Sequence, residues 1–176
     1  MILMKKRILN IGCGKEYYGT DFVGLHPSRS GIIKCDIDKE ELPYKKETFD
    51  KVYAKCVLEH LTNLGFALKE MSRVLKRNGI LEIITDNASY LGFHLSIFGA
   101  NLHMGGYVGY GKEDKHYALY TAEHLKNFCK KLGLKIVKVE YLNTEAKWYV
   151  QIIRALLRML SPRLAYPRIK IVAYKK

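Results

Sequence analysis

Eight residues near the start of the chain, Arg7-Ile8-Leu9-Asn10-Ile11-Gly12-Cys13-Gly14, constrain its fold more than any other stretch. Ile8, Leu9 and Ile11 read as a short buried strand. Two glycines then break it, where main chain can take φ > 0 and come close to a ligand. A strand ending in such a turn is a place to hold a nucleotide-like group. Glycines also end strands in proteins that bind nothing, so the turn takes its meaning from the elements around it.

Beyond the turn, strands alternate with helices, the pattern of a parallel sheet covered on both faces. Phe22 to Leu25 is a second strand and Ile32 to Cys35 a third, separated by residues 26–31 alone. A helical crossover needs about a dozen residues, so the helix between strands two and three is missing. A fourth strand runs from Lys51 to Ala54. A helix then carries Leu64, Leu68, Met71 and Leu75 on one face. Asn78-Gly79 is expected to stop it, with Gly79 as left-handed cap and Lys76 and Arg77 at the negative end of the helix dipole. Strand five is Ile80 to Thr85. From Asp86 to Tyr120 the pattern dissolves into glycines, histidines and aromatics. Order returns at Thr121, a good N-cap, before Leu125, Phe128, Cys129 and Leu132, with Gly133 as the stop. Leu134 to Leu142 reads as strand six and Ile169 to Tyr174 as strand seven.

Between these last strands, Trp148 to Leu160 has Gln151, Arg154 and Arg158 on one helical face and Val150, Ile153, Leu157 and Leu160 on another. This basic amphipathic helix can pack on its own sheet, lie on a membrane surface or meet a second subunit as a homodimer. The chain carries a net charge of +13. No acid occurs from Trp148 to Lys176, while Arg154, Arg158, Arg163, Arg168, Lys170, Lys175 and Lys176 all do. Such a region attracts polyanions, whether an anionic membrane surface or nucleic acid.

With 176 residues, one domain spanning 1–176 is expected. The four cysteines, Cys13, Cys35, Cys56 and Cys129, form no C-x-x-C pair, so neither a metal site nor a disulfide scaffold is read from them. Reduced thiols in a cytoplasm are the simplest account, with peripheral attachment to the membrane left open. Lys5-Lys6-Arg7 follows Met1 to Met4 too closely for a signal peptide.

Taken together, Leu9 to Gly14, Leu42-Pro43-Tyr44 with Phe49 to Ala54, Val57-Leu58-Glu59-His60-Leu61, and Glu70 to Gly79 resemble the class I S-adenosylmethionine-dependent methyltransferases, and more narrowly the short type 11 group. The resemblance runs from Ile8 to about Leu142. It implies an α/β, Rossmann-like sheet of about seven strands whose last strand is antiparallel. It implies S-adenosylmethionine as cofactor, held by Asn10, Gly12, Cys13 and Gly14 at the first turn and by Asp36 and Ile37 at the adenine. Ala54 and Lys55 would lie at the methionine end. Where the superfamily places a ribose-binding acid after strand two, this chain has His26, a poorer bidentate acceptor.

Methyl transfer from a sulfonium is an in-line displacement that asks mainly for positioning, and for a base only when the acceptor must lose a proton. His94, His103 and His116 are the candidate bases, with Asp86, Tyr107 and Tyr110 on the substrate side. Glu59-His60 is read as structural or cofactor-side. The acceptor expected from the resemblance is a small molecule or glycan, such as a phosphorylated or lipid-linked sugar. The alternatives are RNA, favoured by charge, and a cofactor-binding protein without catalysis, suggested by His26. Against RNA stand the lack of an Asn-Pro-Pro-Tyr-type motif and of an appended RNA-binding module.

Overall fold

The computed structural model describes residues 6–12, 18–25, 30–94 and 116–176. Seven strands form one sheet: β1 (Ile8–Ile11), β2 (Asp21–Gly24), β3 (Ile32–Lys34), β4 (Phe49–Lys55), β5 (Leu75–Asp86), β6 (Leu134–Leu142) and β7 (Arg168–Lys175). Their order is β3-β2-β1-β4-β5-β7-β6. The pairs from β3 to β5 are parallel, and β7 lies antiparallel between β5 and β6. The expected class I methyltransferase sheet, with its antiparallel last strand, is present. Residues 12–20 and 25–31 link the first three strands, and both links are shorter than a helical crossover requires.

Burial follows position in the sheet. Leu9, Asn10 and Ile11 of β1, and Val52, Tyr53 and Ala54 of β4, are buried in unbroken runs, because central parallel strands are covered on both faces. Along β7 only alternate residues, Ile169, Ile171 and Ala173, are buried. Helix α1 (Leu64–Val74) closes one side with Ala67, Leu68, Met71 and Val74, the last three each worth up to about 1.5–3 kcal/mol when fully buried. Helix α2 (Ala122–Lys131) packs against β6 and β7. Thr121 caps it as expected: its Oγ1 accepts from His124 N at 3.3 Å, and His124 Nδ1 accepts from Thr121 N at 3.4 Å.

The end of α1 corrects the sequence reading. The helix stops at Val74, and Leu75 is already extended and paired with Phe49. Asn78, at φ 60°, takes the left-handed conformation expected of Gly79. Gly79 is needed for space, since a Cβ there would lie 2.8 Å from Leu75 Cδ1. The capping cation is Lys175, whose Nζ donates to Ser72 O and Leu75 O at 2.8 Å each. Lys76 instead pairs with Asp50 at 2.9 Å.

One ion pair ties two of the motifs together. Arg73 binds Glu70 through Nε at 2.8 Å and Nη2 at 2.7 Å, and its remaining donors reach Leu42 O and Tyr44 O. Glu70 Oε2 also accepts from Leu42 N at 2.9 Å.

Helix α3 (Trp148–Leu160) is inverted relative to the ordinary amphipathic arrangement. Its polar face points inward: Gln151 bonds Asn143 and Thr144, and Arg154 is buried. Leu160 and Ile153, on the apolar face in the sequence reading, are exposed. Helix α3 leans chiefly on the short helix α4 (Pro162–Ala165). Among the described residues no helix is long and apolar enough to cross a membrane.

Candidate active site

Strand order reverses between β1 and β4, and in such open sheets ligands bind in the crevice beyond the carboxyl ends of the strands at that switch point. Gly12 ends β1 there at φ 64°, its N–H donating to Val23 O at 2.8 Å. A Cβ on Gly12 would lie 2.4 Å from Val57 Cγ2, so only glycine lets the turn pass the residues that follow β4. Ala54 is fully buried between Ile11 and Ile83, which places the main chain of 54–55 at the same crevice. This arrangement fits a cofactor brought against main chain.

Other expected cofactor residues have local duties. Asn10 is buried and its side-chain amide donates to Tyr18 O at 2.8 Å, so it braces the β1–β2 link. The Asp36 carboxylate accepts from Asp38 N at 3.1 Å and pairs with exposed Lys39 at 3.0 Å. An amine could take the place of that solvent-weakened lysine. Ile37 is buried in the core. Cys13, Gly14, His26, His103, Tyr107 and Tyr110 lie outside the described residues.

Beyond β4 the chain makes a 3-10 turn over Leu58–His60, and Glu59 O accepts from Tyr117 N at 2.8 Å. That bond brings residues 116–118 back over the sheet. His116 is 5% exposed, its ring edge-on to His60 at 4.7 Å and its Nδ1 3.5 Å from Asp86 Oδ2. Glu59 is buried beside them, accepting from Thr85 Oγ1 at 2.6 Å. Burial, and after it the nearby Asp86 charge, push the Glu59 carboxyl above its ordinary range. Glu59, His60 and His116 each bring a donor atom within 4.8 Å of the others, a mixed set that sequence spacing offers no reason to group. Burial pushes the Cys56 thiol up to about 12, which removes it as a nucleophile near neutral pH. His94 is exposed, with Nε2 2.8 Å from Ala88 O. Of the candidate bases among the described residues, His116 is therefore the one placed against a carboxylate.

Asp86 joins this cluster to a cleft of about 470 Å³ lined by Asp86, Tyr90, Phe93, Val150, Arg154 and Arg168, among others. Asp86 Oδ1 lies 3.9 Å from Arg168 Nε. Arg154 is 7% exposed and donates to Tyr90 Oη at 3.0 Å and to Asn143 Oδ1 and Thr144 O at 2.9 Å each. Among the described residues no carboxylate pairs with it, so dipoles and the Tyr90 ring, whose centroid lies 5.2 Å from the guanidinium carbon, hold this buried cation. Asn87 fixes the wall, donating to Arg163 O at 2.7 Å and Tyr166 O at 2.8 Å. The sequence reading missed Asn87, Tyr90 and the inward aim of Arg154. Their signal lies in contacts across more than sixty residues.

A family model described as a methyltransferase domain matches residues 3–139. Curated relatives include a ubiquinone biosynthesis O-methyltransferase of Rhodopseudomonas palustris (strain HaA2), 34% identical over 118 residues that cover 56% of this chain and 47% of that one. Another of the same name, from Pelagibacter ubique, is 27% identical over 157 residues, covering 78% and 65%. The chain spans about half the length of the first of these relatives. An S-adenosylmethionine-dependent methyltransferase from Archaeoglobus fulgidus superposes with a TM-score of 0.67 at 20% identity, covering 97% of this chain and 86% of that one, a likeness of fold.

Proposed function

This chain belongs to the class I S-adenosylmethionine-dependent methyltransferases, of the type 11-like kind, and from that premise we propose that it methylates a hydroxyl group on a small acceptor carrying an anionic group. The observation that carries the acceptor reading is Arg154, a buried guanidinium with no carboxylate partner among the described residues, on the wall of a cleft that also holds Arg168 and Asp86. An uncompensated buried cation is costly, and an anionic ligand relieves that cost. A phosphorylated or lipid-linked sugar would supply the charge, and so would a carboxylated phenol. The hydroxyl is suggested by the names of the relatives, which are O-methyltransferases.

Gly12 and the main chain of 54–55 would hold the cofactor, with Asp36 at its amine. S-adenosylmethionine, when bound, supplies a methyl group already activated by its sulfonium. The protein's part is to hold the acceptor oxygen in line and to receive its proton. Asp86, the member of the pair that lines the cleft, accepts that proton, and His116 Nδ1 beside Oδ2 is the neighbouring basic atom able to hold it.

The test is calorimetry with S-adenosylmethionine, then turnover of phosphorylated sugars, carboxylated phenols and RNA. Arg154→Met is expected to raise KM for an anionic acceptor, and Asp86→Asn to lower kcat by roughly 10²–10⁴-fold, with cofactor affinity retained in both. An unchanged KM for the anionic acceptor in Arg154→Met would defeat the acceptor reading. RNA is the second reading, carried by the net charge of +13. Turnover confined to RNA, falling steeply with salt, would replace the first. Cofactor binding without turnover of any acceptor would return the protein to a non-catalytic role.

A further inference from the structure

The side of α3 that carries Gln151 and Arg154 is bonded down, and the opposite side is left bare. At 100° per residue, Trp148, Tyr149, Ile152, Leu156, Met159 and Leu160 fall within an arc of roughly 120° that contains no charged residue. All six are exposed, Trp148 at 75%, Met159 at 83% and Leu160 at 78%. Contiguous apolar surface of this kind marks a place of association. Its orientation is fixed, because rolling the helix inward would break the bonds of Gln151 and Arg154.

We propose that this face of α3 docks the protein on an anionic membrane surface, lying in the plane of the interface. Charge selects this occupant over a second copy of the chain. Exposed Lys147 immediately precedes the helix, exposed Arg158 lies about 80° beyond the Trp148 edge of the arc, exposed Arg163 comes just after the helix, and no acid occurs from Lys147 to Lys176. The nearest acid in sequence, Glu145, lines the cleft. A two-fold contact through the arc would gather these cations from two chains of +13 each with no acid to offset them. Anionic headgroups supply the missing charge while the arc enters the acyl boundary and the neighbouring cations reach to the headgroups. Trp148 and Tyr149 sit at one end of the arc, and such rings favour the headgroup level. Docking of this kind stands whichever acceptor the cleft takes.

Trp148 is the sole tryptophan, so its fluorescence reports the face directly. The full chain is mixed with vesicles of neutral phosphatidylcholine and with vesicles in which about a third of the lipid is anionic phosphatidylglycerol. The anionic vesicles are expected to shift Trp148 emission to the blue, shield it from acrylamide and carry the protein in flotation, with rising salt weakening all three. Neutral vesicles should bind at least tenfold more weakly. The variant Ile152→Ser/Leu156→Ser/Met159→Ser should lose flotation while keeping its circular dichroism and cofactor binding. Arg158→Gln should lower partition roughly fivefold with the apolar arc intact. The proposal is overturned if Trp148 emission is unchanged by anionic vesicles, or if the triple variant floats like the parent. Self-association in sedimentation that blue-shifts Trp148 without lipid also overturns it, in favour of a second copy. So does binding to RNA that shifts Trp148 while the anionic vesicles do not.

Discussion

Gly12 shows what a single residue decides. Its left-handed backbone and a Cβ position 2.4 Å from Val57 Cγ2 are two separate objections to any side chain. Gly12→Ala is expected to lose about 1–3 kcal/mol in urea unfolding and to lose cofactor binding by calorimetry. Adding Val57→Ala should recover part of the stability, because it removes the contact and leaves the backbone strain. The need for glycine was legible in the sequence, whereas its partner Val57 was not. Glu59 makes a prediction in pH. Burial and then Asp86 raise its folded pKa above the unfolded value, so the protonated acid is the form that folding favours. The stability it contributes is complete below the unfolded pKa and is lost as pH rises through the folded one. Glu59→Gln, which still accepts from Thr85 Oγ1, should therefore melt above the parent by a margin that widens from the ordinary glutamate range toward neutrality. A margin that narrows over that range would show that Glu59 is not a raised acid.

At the scale of the element, the link between Glu70 and Arg73 turns one end of α1 into a clamp on Leu42-Pro43-Tyr44. Glu70 is buried and its pKa is held low by the Arg73 guanidinium, so the pair's contribution is present above the ordinary glutamate range and lost as pH falls through the folded pKa. Arg73→Met strands the carboxylate and frees Leu42 O and Tyr44 O. A cost of about 2–3 kcal/mol is expected, below the usual loss for a broken buried pair because Arg73 is partly exposed. Equilibrium unfolding measures it, and Glu70→Gln/Arg73→Met should recover most of the loss. The spacing of Glu70 and Arg73 was readable as one helical turn. That both reach the loop at 42–44 depends on where the sheet sets α1. The inward polar face of α3 was hidden for a like reason: amphipathicity gives two faces, and the partners Tyr90, Asn143 and Thr144 choose which one turns in.

At the scale of the molecule, the site gathers the ends of β1, β4 and β5 with the returning segment at 116–118, so a ligand there braces elements far apart in sequence. S-adenosylmethionine at about a hundred times its Kd should add about 2.7 kcal/mol and raise Tm by roughly 5–10 °C, measured by scanning calorimetry. Gly12→Ala should abolish that increment. By itself the sequence determined the succession of strands and helices, the glycine turn, the absent helix between strands two and three, the Thr121 cap and the family, because apolar periodicity, turn chemistry and motif spacing are local properties. Only the tertiary structure decided that Lys175 caps α1, that Asp86 stands between His116 and Arg168, and that α3 buries its arginine and bares its apolar arc. Each of those depends on which distant backbone atoms and dipoles a side chain meets, and a buried charge settles where such partners already exist.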